Sequence, residues 1–299
     1  MAILFELVKR NLKLYFKDKG LFFSSLITPM ILLVLYATFL ANVYKDSLMS
    51  NIPNGVVIEE SIINSIVAGQ LISSLLAVSC VTISFCSNLI MITDKATDRI
   101  DDLCISPVKR STLSLAYFIS CTISTLIITL STLGVCMIYL ATQGFYMSGV
   151  DVLKTILDVI LLTLFGASLS CVINHFCKTN GAASAIGTLV SSVYGFICGA
   201  YMPLSQFSKG LQNVISFLPG TYGTSLIKSH MLAGPFRELE SVGLNEKFVS
   251  GISKSIDSEY YFFDNLVSEG AKYLVMIISV ALFISIFVVL NVVSNRKHK

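Results

Sequence analysis

The chain has 299 residues, of which 54% are hydrophobic and 13% charged, with a formal net charge of +3. A soluble domain carries about 25% charged residues, so this chain lacks the charge to cover a soluble surface, which excludes an ordinary cytosolic enzyme and a disordered chain. The small net charge gives no footing for a nucleic-acid partner. What fits is an all-α multi-pass membrane protein, because in lipid each backbone N–H and C=O must be satisfied inside its own helix.

Residues 1–20 read as a cytoplasmic amphipathic helix. Ile3, Leu4, Leu7, Val8, Leu12 and Tyr15 fall on one helical face, and Glu6, Lys9, Arg10, Lys13 and Lys17 on the other. Such a helix lies on the inner leaflet and would turn at Asp18-Lys19-Gly20 into the first apolar run; the alternative is a basic flank that only sets topology. Six runs are long enough to cross a bilayer, at 21–42, 68–92, 113–140, 152–174, 182–202 and 271–293. A crossing needs about 20 apolar residues. Spans one to five thus lie within 21–202, and 271–299 forms span six with a tail.

Basic residues fix the direction. Lys9, Arg10, Lys13, Lys17, Lys19, Lys95, Arg99, Lys109, Arg110, Lys178, Arg296, Lys297 and Lys299 lie on one side, while the opposite short loops and span edges hold only Lys45 and Lys154. By the positive-inside rule both termini are cytoplasmic.

The segments between spans carry more information. Loop 93–111 is cytoplasmic on this topology. Thr93 is placed to cap a short helix with Asp94 in its first turn; Ile100, Leu103 and Cys104 give it an apolar face, Asp98, Arg99, Asp101 and Asp102 give it charged rims, and Pro107 ends it. That pattern suits a docking helix; a solvated linker is the alternative. In span four, Asp158 follows Lys154 by four residues, the spacing of an ion pair near the headgroups. Gly195 and Gly199 form a G-x-x-x-G on span five, a spacing that suits a helix-packing interface. Residues 203–233 hold two short apolar pieces between breakers: Pro203, then Leu204, Phe207, Leu211, Val214, Ile215 and Leu218, then Pro219-Gly220, then Thr221 to Ala233 with Tyr222 near its start. Each piece is too short to span, so the pair reads as a re-entrant helical hairpin or as a surface-lying pair. Residues 234–270 are polar and acidic and form an extracellular loop.

Signs of catalysis are missing. No phosphate-binding G-x-x-x-x-G-K-[ST] loop and no H-E-x-x-H occur, and the eight cysteines include no C-x-x-C pair. The expectation is a non-enzyme with no catalytic residues, no metal site and no cofactor in this chain.

Taken in order, these features resemble the type-two permease family of ATP-binding-cassette exporters. Ile100-Asp101-Asp102-Leu103-Cys104-Ile105-Ser106-Pro107-Val108 keeps the acidic, apolar and Ser/Thr-Pro-Val positions of that family's cytoplasmic loop, with Asp98 and Arg99 where the family has Gly-Thr. Gly199-Ala200-Tyr201-Met202-Pro203-Leu204 matches the end of its fifth span, and Leu218-Pro219-Gly220-Thr221-Tyr222 matches its hairpin turn without the Asn. The resemblance implies an export channel in the cell membrane, of bacterial type, made by two permeases, a second copy or a paralogue, with separate cytoplasmic ATPase subunits that bind ATP and magnesium. It implies coupling through Asp98, Arg99, Ile100, Asp101, Asp102, Leu103 and Pro107. It also implies an outer gate at Pro203, Phe207, Leu211, Pro219, Gly220 and Tyr222, and a path lined by the second and fifth spans. The cargo expected is a drug, antibiotic, peptide or lipid-like molecule; polysaccharide or teichoic-acid precursors are the alternative, and a secondary carrier or a membrane scaffold is the reading from another class.

Overall fold

The computed structural model describes residues 2–50, 58–105, 108–199, 201, 204–241, 251–253, 256–263 and 265–294. Its first helix, α1 (Ala2–Lys17), is followed at once by α2 (Lys19–Leu35). The turn falls where Asp18 was expected to make it: the Asp18 side chain accepts from the backbone N–H of Leu21 at 3.1 Å and caps α2. Pro29 sits inside α2, and a π-helical turn, Tyr36–Leu40, joins it to α3 (Ala41–Ser50). Then come α4 (Glu60–Ser87), α5 (Leu89–Ala96), α6 (Arg99–Ile105), α7 (Arg110–Gln143), α8 (Gly149–His175) and α9 (Asn180–Ile197). A 3-10 turn at Leu204–Gln206 leads to α10 (Lys209–Ile215) and α11 (Pro219–Ser241); a two-stranded hairpin of β1 (Tyr261–Phe262) and β2 (Asn265–Leu266) precedes α12 (Glu269–Ser294).

Among the described residues, five helical stretches are long and apolar enough to cross a membrane: Lys19–Asp46, Glu60–Ala96, Arg110–Gln143, Gly149–His175 and Glu269–Val293. The fifth expected span is the 18-residue α9, about 27 Å long at 1.5 Å per residue. The second begins at Glu60, eight residues before the apolar run does, because Ser61 and Asn64 are accommodated inside the bundle rather than in a loop.

Helix α4 is the mast. It is buried without a break from Ser65 to Phe85 and packs against α2, α7, α8, α9 and α11. Its sequence has no polar face, as expected of a helix surrounded by others. Small residues let the neighbours close in: a Cβ on Gly166 of α8 would stand 2.8 Å from the carbonyl oxygen of Cys80, the kind of close approach that holds membrane helices together where no hydrophobic drive exists between them. By contrast α2 and α12 keep most of their apolar side chains outward, including Phe23, Ile31 and Phe39 on the first stretch and Leu274, Ile278 and Val289 on the last.

The hairpin region differs in extent from the sequence reading. Two helices are present, and the chain breaks at Ser216–Leu218, just before Pro219, which occupies the first helical position where its missing N–H costs nothing. The second helix, however, does not stop at Ala233 but runs to Ser241 through Pro235. Gly234 explains the continuation. A Cβ there would meet the backbone carbonyl of Tyr146 at 2.3 Å, so the segment is packed against the α7–α8 connection and the helix continues instead of turning into a loop.

Candidate functional site

At one end of the bundle, α1, α5, α6 and the starts of α7 and α9 gather. The expected docking helix is two helices. Thr93 does not cap it: Thr93 lies within α5, its hydroxyl donating to the carbonyl of Leu89 at 3.0 Å. The break comes at Thr97-Asp98, where Asp98 has φ +55°, a left-handed conformation that Asp tolerates better than most residues. Ala96, Thr97, Asp98, Arg99 and Asp102 are exposed around this turn. Ile100 and Leu103 are half-buried against the chain's own second apolar cluster, so they serve this protein's core as well as any partner. Pro107 and the Asp101 side chain lie outside the described residues.

Asp94, placed by the sequence reading in the first turn of the short helix, is 1% exposed. Arg10 donates to both its carboxylate oxygens, at 2.7 and 3.0 Å, and the Tyr117 hydroxyl donates to it at 2.7 Å. Arg99 adds a longer ion pair at 3.9 Å. The hydrogen bond to Asp94 pushes the Arg10 pKa above its ordinary value and outweighs the desolvation that would lower it. Arg10 is therefore not a headgroup contact on a free amphipathic helix. It ties α1 to α5, while Leu7, Val8, Asn11 and Tyr15 bury the other side of α1, with Asn11 donating to Ser120 of α7 at 3.3 Å and Tyr15 to Ser25 of α2 at 2.8 Å. Of the remaining polar-face residues, Lys9, Lys13 and Lys17 are exposed.

At the other end, the break between α10 and α11 is clamped. The Tyr194 hydroxyl of α9 donates to the carbonyl of Gly220 at 3.0 Å, and a Cβ on Gly220 would stand 2.5 Å from its ring. Tyr222 donates to the carbonyl of Ser216 at 2.9 Å, closing the break, and packs at a tilt of 56° against Tyr260 with ring centroids 4.7 Å apart. Phe207 is half-buried, Leu211 exposed, and Pro203 outside the described residues.

Helix α11 also carries a set of buried polar groups that sequence reasoning missed. Asp158 does not pair with Lys154. It is 1% exposed, takes a hydrogen bond from the Tyr273 hydroxyl at 2.6 Å and lies 2.5 Å from Nδ1 of His230. Lys154 faces Glu269 instead, at 3.7 Å. Lys272 donates to Ser225 at 2.9 Å, Lys228 lies 3.9 Å from Asp257, and Arg237 pairs with Asp151. The sequence reading of Asp158 as an i,i+4 partner of Lys154 is thereby corrected: α8, α11 and α12 are joined through buried polar and charged contacts. These partners are 72 and 115 residues apart, and no local spacing announces them.

The G-x-x-x-G glycines also take a different role. Gly199 has φ +69° and ends α9, and the chain folds back so that a Cβ on Gly195 would stand 2.2 Å from the Tyr201 ring. They make room for a chain reversal within this molecule. The open face of α9 lies elsewhere, along Ser184, Thr188, Leu189, Ser192, Val193 and Phe196. Beside it, α2, α4 and α9 enclose a groove of about 410 Å3 with Ser24, Thr82, Ser184, Thr188 and Ser191 among its lining and no charged side chain among the described residues. Of the α4 hydroxyls, Ser73, Ser79 and Ser84 are buried inside the bundle and return to carbonyls of their own helix, and Ser65, Ser74 and Ser87 are buried with no hydrogen-bond partner among the described residues, so of the Ser/Thr-rich second span Val78, Thr82, Phe85, Cys86 and Leu89 reach the groove.

A sequence model of the ABC-2 type transporter family matches residues 3–232. No curated protein matches the chain at a significant level.

Proposed function

The chain belongs to the ABC-2 type transporter family and is thus a permease subunit of an ATP-binding-cassette transporter, and from that premise we propose that it forms the translocation path of an exporter powered by a separate cytoplasmic ATPase. The observation that carries this reading is the tethered turn between α5 and α6. Its exposed residues Thr97, Asp98, Arg99 and Asp102 stand at the end of the bundle, and the Arg10–Asp94 pair behind them joins α5 to α1. A push on this turn is passed to α1 and, through Tyr117 and Ser120, to α7. The excess of Lys and Arg at this end supports a cytoplasmic position for it and for both termini.

On this reading the crossings are six: α2 with α3, α4 with α5, then α7, α8, α9 and α12. Helix α10 and the start of α11 form a re-entrant hairpin, supported by the contact of Gly223 with Leu162 and Met276, well within α8 and α12. A second permease, identical or paralogous, would cover the open face of α9. The groove beside that face mixes hydroxyls with apolar side chains and has no charge among the described residues, which favours a neutral or amphiphilic cargo, a drug, peptide or lipid-like molecule, over polyanionic glycan precursors.

The test is co-purification. Tagged chain is captured with its ATPase, and the pair Arg99→Glu and Asp102→Lys reverses the exposed charges of α6. The expected result is loss of ATPase capture and of transport, with the chain still inserted in the membrane; undiminished capture would refute docking at this turn.

A further inference from the structure

The bundle end that carries α5 and α6 also holds a cavity of about 390 Å3, formed where α7 begins and α8 and α12 end. Lys95, Arg110, His175 and Lys178 line it, and no carboxylate among the described residues does. Lys95 gives its Nζ to the carbonyls of His175 at 2.9 Å and Asn174 at 3.4 Å, which caps the last turn of α8. Arg110 and Lys178 have no ion-pair partner among the described residues, and Nδ1 of His175 is buried with no hydrogen-bond partner. Tyr117, on the same wall, turns its hydroxyl to Asp94, and that carboxylate is already paired with Arg10. The cavity is cationic and has no counter-charge among the described residues.

Its inner wall is of opposite character. Met91, Leu113 and Phe287 make it apolar, and beyond Phe287 the side chains of Val289, Val292 and Val293 on α12 face outward. A basic rim over an apolar floor, open toward a lipid-facing helix, suits a ligand with an anionic head and a hydrocarbon body. Basic pockets between membrane helices recognise lipid headgroups in this way. A soluble phosphate shares the head chemistry and has no use for the floor.

We propose that this cavity binds the phosphate of an anionic phospholipid from the leaflet in which these helices end. Arg110 and Lys178 contact the phosphate, Lys95 adds its field, and Met91, Leu113 and Phe287 receive the start of an acyl chain. A lipid seated there bridges α7 to the α8–α9 connection beside the coupling turn, so the lipid composition of that leaflet sets how firmly the turn is held.

The purified full-length chain in neutral detergent is offered equimolar phosphatidylglycerol and phosphatidylcholine of matched acyl chains, and bound lipid is counted by native mass spectrometry. Phosphatidylglycerol is expected to be retained in at least tenfold preference. Each cation contributes about fivefold, so Arg110→Gln with Lys178→Gln lowers that retention by about 25-fold, while Arg110→Lys with Lys178→Arg preserves it. Equal retention of the two lipids, or a neutral double variant that binds as before, overturns the proposal. Displacement of phosphatidylglycerol by millimolar inorganic phosphate assigns the pocket to a soluble phosphate and overturns the lipid. Should the neutral variant unfold, the charge-conserving pair decides, since loss of phosphatidylglycerol there is equally fatal.

Discussion

Removing the Arg10 guanidinium tests whether α1 is a working part of the coupling end. In Arg10→Leu, Asp94 stays buried with only Tyr117 and the more distant Arg99 for company. Breaking a buried pair by deleting one partner costs about 3–5 kcal/mol. Here the Arg10 side chain is 30% exposed and Arg99 stands 3.9 Å from Asp94, so water and the second arginine take up part of the loss, and about 2–3 kcal/mol is expected. Asp94→Asn leaves a partly exposed arginine that water can solvate and should cost about 1–2 kcal/mol. If the two groups act as a pair, Arg10→Leu with Asp94→Asn falls short of the summed losses by about 1 kcal/mol or more. The molecule supplies its own reporter. It has no Trp, but Cys80, Cys121, Cys136 and Cys171 are fully buried thiols, so a thiol-reactive fluorescent dye reads unfolding directly. At roughly 2 °C per kcal/mol for a chain of this size, Arg10→Leu should lower the midpoint by about 5 °C. In reconstituted vesicles the same variant should hydrolyse ATP without proportionate transport. Strict additivity in the cycle, together with unchanged transport per ATP, would refute the tether.

Two further outcomes follow from close packing and buried charge. Gly166→Ala forces a methyl to within 2.8 Å of the Cys80 carbonyl and should lower the unfolding midpoint by several degrees, whereas Gly181→Ala, with nothing within 4 Å, should be neutral or slightly stabilising; equal midpoints for the two would count against the α4–α8 contact. Asp158→Leu strands His230 and the Tyr273 hydroxyl and should cost about 3 kcal/mol or more, while Lys154→Leu, at an exposed pair, should cost under about 1 kcal/mol; the reverse order in the dye assay would restore the i,i+4 reading.

How far the sequence speaks depends on the range of the interaction. The face of α1, the turn at Asp18 and the break before Pro219 are written in neighbouring residues, and local chemistry is enough to read them. Arg10 looked like a headgroup contact because a basic residue on an amphipathic helix has that meaning by itself; its partner is 84 residues away. Asp158 offered Lys154 as a local partner, and the buried His230 lies on a helix that sequence alone ended too early. Gly234-Pro235 is a stop signal in isolation, and only the backbone of Tyr146 pressed against it turns it into helix interior. Gly195 and Gly199 had the right spacing for a helix interface, but positive φ at Gly199 is a property of a chain reversal that spacing does not encode.

The burial of α4 bears on how the chain is made. During synthesis this helix must leave the translocon and stand in lipid before α7, α8 and α11 exist to surround it. Ser73, Ser79 and Ser84 donate to the carbonyls of Gln70, Leu75 and Cys80 on the same helix, so these hydroxyls reach the bilayer already satisfied. The helix that later has least contact with lipid thus enters it with three of its hydroxyls already met, while Ser65, Gln70, Ser74, Thr82 and Ser87 have no such side-chain partner among the described residues and make up what insertion costs.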